Sequence, residues 1–154
     1  ALQGVHRTWL APDGQGKARV DTPRRAMGHL LGNAVRIALA DQTLVLGEGI
    51  ETMLSVREAA PSLPVWAALS SGHLGAVLLP AGLQRLYIAI DRDPAGQRAA
   101  ERLTARATEA GIAVRVLEPR LGDFNDDLRA HGVEALRQHL AQQIDLKDQH
   151  RLTI

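Results

Sequence analysis

The chain has 154 residues, enough to bury one core and too few for two independent ones. Hydrophobic residues make up 45%, charged residues 23% and cysteine none, which excludes a disulfide framework and thiolate zinc sites, and no apolar run approaches the ~20 residues that cross a bilayer. At a formal net charge of +1, any contact with nucleic acid must come from local clustering, and the composition is that expected of a cytoplasmic protein without a membrane association.

Residues 5–10 and 17–21 flank the turn-rich PDGQG at 12–16, so the pair predicts a short hairpin. TPRRAMGHLLGN at 22–33 reads as loop with a turn of helix, and AVRIAL at 34–39 alternates as a strand does. The first forty or so residues are expected to form an extension packed on a core. From residue 43 compact apolar runs alternate with helical segments, the rhythm of buried parallel strands joined by crossover helices. Strands are predicted at 43–47, 64–69, 84–90 and 112–117, and helices at 49–60, near 73–79, at 95–110 and at 132–144. Ala95, Ala99, Leu103, Ala107 and Ala110 give the third helix a small-residue face, and Gly111 ends it. A polar tail from Asp145 is expected to fray.

Ligands of an open parallel sheet lie beyond the carboxyl ends of its strands, because loops and helix N-termini converge there. Three of the four predicted exits carry acids: Gly47-Glu48-Gly49, Asp91-Arg92-Asp93-Pro94 and Gly122-Asp123-Phe124-Asn125-Asp126-Asp127. With strand order 2-1-3-4 the first two exits are neighbours. Carboxylates about 4 Å apart repel by roughly 4 kcal/mol at an effective dielectric of ~20, so the cluster needs a cation or must take up protons. Oxygen donors without His or Cys point to Mg²⁺ or Mn²⁺. Asp93 before Pro94 also fits a helix cap, and Asp123 to Asp127 fit a turn and a cap. Glu48, between glycines at the end of a buried strand, gains nothing from packing.

Rival motifs fit less well. Gly47-Glu48-Gly49 lacks the third glycine of a dinucleotide fingerprint, Thr52 standing there, and the six His show no zinc spacing. Ser70-Ser71-Gly72-His73 is no nucleophile elbow and reads as a polar loop at the pocket rim. Apart from Lys17 and Lys147 the 18 basic residues are all Arg. Lys17, Arg24, Arg25 and Arg92 are candidates for phosphate contacts, with Arg24 and Arg25 in an exposed turn after Pro23; a solvated surface is the alternative. With few aromatics (Trp9, Trp66, Tyr87, Phe124), base stacking and sequence preference are not expected.

The Glu after strand one, the Asp-x-Asp after strand three and the later acidic turn together resemble the Toprim domain of topoisomerases, primases and related nucleases. DRDPAG at 91–96, LVLGEGIETMLS at 44–55, VWAALSSGHL at 65–74 and GDFNDDL at 122–128 are similar to primase-type members from phages, plasmids and mobile elements. HRTWLAPDGQGKA at 6–18 and PRRAMG at 23–28 resemble the segment that precedes the core there. The resemblance implies a Rossmann-like α/β fold, a parallel four-stranded sheet flanked by helices with a small N-terminal β-hairpin: an extension at 1–42, the core at 43–144 and a tail at 145–154. It implies Glu48 as general acid/base and metal neighbour, Asp91 and Asp93 as main Mg²⁺ (or Mn²⁺) ligands, and Asp123 and Asp126 completing the acidic face. One departure is Thr52, where many primases carry an acid; Glu51 stands one residue earlier. The implied function is primer RNA synthesis on single-stranded DNA from nucleoside triphosphates, within a larger parent carrying zinc-ribbon or helicase domains. A Toprim nuclease and a non-catalytic interaction module are the alternatives.

Overall fold

The computed structural model describes residues 2–153. Leu44, Val45 and Leu46 are wholly enclosed, which a strand achieves only when both faces of its sheet are covered. In chain order the elements are β1 (Gly4–Thr8), β2 (Arg24–Gly28), β3 (Val35–Arg36), β4 (Thr43–Gly47), α1 (Ile50–Ala59), β5 (Val65–Ala67), α2 (Ser71–Leu74), β6 (Arg85–Ala89), α3 (Pro94–Glu109), β7 (Ala113–Leu117) and α4 (Phe124–Ala141), then a 3-10 helix at Leu146–Leu152. The main sheet runs β3-β5-β4-β6-β7, and β1 pairs with β2 in a separate ribbon. The four predicted strands are the parallel ones, in the expected order.

Alternation along β4 and β6 splits the core in two. Val45, Tyr87 and Ala89 meet Met53 and Val56 of α1 and Phe124, Leu136 and Leu140 of α4. Leu44, Leu46, Leu86 and Ile88 meet Leu74 of α2 and the Ala99, Leu103 and Ala107 stripe of α3. Each fully buried Leu or Ile contributes about 1.5–3 kcal/mol.

Four differences from the sequence reading have physical causes. The sheet has a fifth strand, β3, antiparallel to β5: the alternating segment at 34–39 leaves the extension to cover the sheet edge. The hairpin partner of β1 is β2, not 17–21, which contributes only an isolated bridge from Lys17 to Leu10. All of β2 is exposed, so it carries no hydrophobic period to announce it. α4 starts at Phe124 rather than 132, because Asp123 caps it and Gly132, at φ 80°, interrupts the helical pattern. The tail is folded as well: fully buried Asp148 accepts from Arg85 Nε at 2.6 Å, Arg85 Nη2 at 2.9 Å and Tyr87 Oη at 2.8 Å. Those hydrogen bonds hold the carboxyl of Asp148 below its ordinary value and raise Arg85 further, so the pair stays ionised.

Candidate metal centre

β4, β6 and β7 lie side by side and end level with one another, Gly47 opposite Ala89 and Ala89 opposite Leu117. Their exits therefore open on one edge of the sheet. At the first, a Cβ on Gly47 would press on Met53 Sδ and come within 2.9 Å of the Ala89 carbonyl oxygen, so glycine lets α1 pack tightly against the strand end. Glu48 follows, half-buried, its carbonyl accepting from Leu69 N–H at 2.8 Å. Leu69 sits at φ 76°, a conformation that costs a branched residue energy. Burial foremost, and the charge of Asp93 next, raise the affinity of Glu48 for a proton, while the backbone of Ser71 draws it back.

At the second exit Asp93 caps α3, its Oδ1 accepting from Gly96 N–H at 2.7 Å, with Pro94 in the first turn. The capping role expected of Asp93 is real and uses one of its two oxygens. Gly96 is required here because a Cβ would come within 2.9 Å of the Asp91 carbonyl oxygen. Asp91 is half-buried, and its Oδ1 is enclosed without a hydrogen-bond partner.

The third exit is tied to the second by Arg92 N–H, which donates to the Gly122 carbonyl at 2.8 Å. Asp123 caps α4 through Asp126 N–H at 2.8 Å. Fully buried Asp127 accepts from the amides of Arg120 and Leu121, each at 2.8 Å, and so shapes the turn that presents its neighbours. Its structural role was missed in the sequence, where it reads as one more acid of the turn.

The five acids singled out from the sequence share one electrostatic environment. Asp91 is pushed up to about 6, first by burial and then by the charges of Glu48, Asp123, Asp93 and Asp126. Among the described residues none of the five has an Arg or Lys salt-bridge partner. Nor do three acidic or His side chains converge to coordinating geometry there. The donor set still fits a hard divalent cation: all oxygen, uncompensated, and including one enclosed oxygen with no partner. Mg²⁺ commonly keeps several waters and takes few direct carboxylates, which suits acids gathered but not closed on one point.

The basic candidates divide. Arg92 stands between Asp91 and Asp93, exposed, its Nη1 donating to the Arg120 carbonyl at 3.0 Å. Arg24 is in β2 rather than in a turn and is engaged by Glu51 of α1. That pair keeps Glu51 with the hairpin, and Thr52 is buried inside α1, so neither stands among the acids that raise Asp91. Arg25 donates to Thr22 Oγ1 at 3.1 Å, and Lys17 is exposed in the bridge to Leu10. No recorded contact brings Lys17 or Arg25 to the acids.

Comparison with known proteins adds the following. Residues 43–134 match the family described as the Toprim domain, and residues 1–37 match a domain of unknown function. No curated protein matches the chain. Among solved structures, the primase fragment of the bacteriophage T7 primase-helicase protein is similar at TM-score 0.64 and 18% identity, over 89% of this chain and 62% of that one. A DNA primase domain from Pseudomonas aeruginosa is similar at TM-score 0.59 and 18% identity, over 92% of this chain and 51% of that one. The chain thus spans about six-tenths of the first structure and about half of the second, and the likeness is one of fold.

Proposed function

The chain belongs to the Toprim domain family, and on that premise we propose that it is the nucleotidyl-transfer module of a DNA primase, joining nucleoside triphosphates into primer RNA on single-stranded DNA. The observation that carries this reading is the set of five unpaired carboxylates around half-buried Asp91 at the carboxyl edge of the sheet. The fold shared with two primase domains supports primase over other chemistries of the family. In this reading the core at 43–144 carries the reaction, the extension at 1–42 helps hold nucleic acid, and the tail at 145–154 braces the sheet.

Asp91 and Asp93 would hold Mg²⁺ or Mn²⁺, with Glu48, Asp123 and Asp126 completing the acidic face. The ion, when bound, would neutralise triphosphate oxygens and favour departure of pyrophosphate. Glu48 is suited to hold the proton released by the attacking 3′-hydroxyl, since burial and Asp93 already raise its proton affinity. Arg92, exposed beside the acids, would meet phosphate oxygens. The setting proposed is replication of a phage, plasmid or mobile element, in the cytoplasm, with zinc-ribbon or helicase domains of the same protein as partners.

Incubation with a single-stranded template, labelled triphosphates and Mg²⁺ or Mn²⁺ tests the reading. Short oligomers are expected from the wild type and none from Asp91→Asn. Strand scission by the same acids would replace primase with nuclease. Silence from a folded, metal-binding chain would leave an interaction module.

A further inference from the structure

The hairpin register sorts its side chains onto two faces. Directly opposite residues of an antiparallel pair share a face, and residues two apart on one strand do too. His6 and Thr8, both half-buried, lie opposite Ala26 and Arg24, and Arg24 reaches Glu51 of α1, so this face turns to the core. The other face holds Val5 opposite Met27 and Arg7 opposite Arg25, all exposed. Trp9 continues it, 43% exposed, with the Arg7 guanidinium 4.1 Å from its ring centroid.

Two arginines directly across a ribbon repel and weaken it. No acid occurs among the ten paired residues to offset them. An apolar cover would strand two charges away from water, which is costly. An occupant that relieves the face must bring negative charge to Arg7 and Arg25 and flat apolar surface to Trp9, Val5 and Met27. A single polynucleotide strand does both, phosphates meeting the guanidinium groups and bases stacking on the indole. We propose that this outer face, Arg7, Trp9 and Arg25 with Val5 and Met27, is a docking platform for single-stranded DNA. Resting on the primase reading, it names where the template lies, and it corrects the expectation that the scarcity of aromatics leaves base stacking out: one exposed Trp with an Arg over it is enough for a platform.

Binding of a fluorescent oligo-dT is measured in EDTA, so that the acids play no part, across a range of salt concentrations. Expected are quenching of Trp9 fluorescence that is absent in Trp9→Phe (the other indole, Trp66, being buried), affinity about tenfold weaker in Trp9→Ala, and a log–log salt slope shallower by about 1.4 in the Arg7→Ala, Arg25→Ala double variant. Circular dichroism should show the double variant folded and at least as stable as wild type, since it loses a repulsion. Unchanged affinity and slope in the folded variants would overturn the platform, as would equal competition by polyglutamate, which has charge but no bases. Unchanged binding alongside retained primer synthesis would remove the platform and leave the primase reading. DNA binding through this face without synthesis would do the reverse.

Discussion

At Asp91 burial and four neighbouring acids act in the same direction, and the sign of the consequence follows. A carboxyl raised to about 6 keeps its proton in the folded chain over a pH range where the unfolded chain, near 3.8, has released it. The folded state then binds more protons, so its stability falls as pH climbs from about 3.8 to about 6 and does not recover above that. Asp91→Asn removes the penalty. Without divalent ions at pH 7 this variant is expected to melt at or above the wild-type temperature, with the difference closing below pH 4, as read by thermal denaturation at both pH values. Glu48→Gln is expected to lower primer synthesis more than it lowers metal affinity measured by calorimetry; wild-type turnover would remove Glu48 from its proton-handling role. These acids were legible in the sequence because each leaves a buried strand at a place where packing gains nothing from charge. Asp127 and Arg24 were not, because a loop-shaping carboxylate and an Arg held by Glu51 look, residue by residue, like surface charges.

Among the elements, the four parallel strands were readable because enclosure on both faces writes a continuous apolar run. The failures fall where that code is absent. β2 is exposed throughout, α4 opens with a run of acids that reads as a turn, and the tail is polar. The tail is fastened by charge rather than by oil: Asp148 joins Arg85 at the first residue of β6, Thr43 Oγ1 lies 3.4 Å away at the first residue of β4, and Arg151 bonds Asp41 at 2.8 Å. Removing one partner of a buried ion pair leaves the other uncompensated, so Asp148→Ala is expected to cost about 3–5 kcal/mol in urea unfolding. Asp41→Ala, at a half-exposed pair, is expected to cost less than about 1 kcal/mol. Equal costs would show that the tail is not held by Asp148.

For the whole molecule, a ligand that binds only the folded chain stabilises it by mass action, about 2.7 kcal/mol at a hundredfold excess over its dissociation constant. Mg²⁺ or Mn²⁺ is accordingly expected to raise the wild-type melting temperature, and to do so far less in Asp91→Asn; equal shifts would place the ion elsewhere. The total charge of +1 conceals the uneven layout of the surface. Five carboxylates without cationic partners gather at one sheet edge, while the outer ribbon presents guanidinium groups and no acid. Fields from opposite poles cancel at long range and survive within a Debye length of about 8–10 Å. Traffic is thereby sorted on arrival: small cations are drawn to one pole and polyanions to the other, so a strand lying on the ribbon leaves the mouth of the acidic edge open to the next ion.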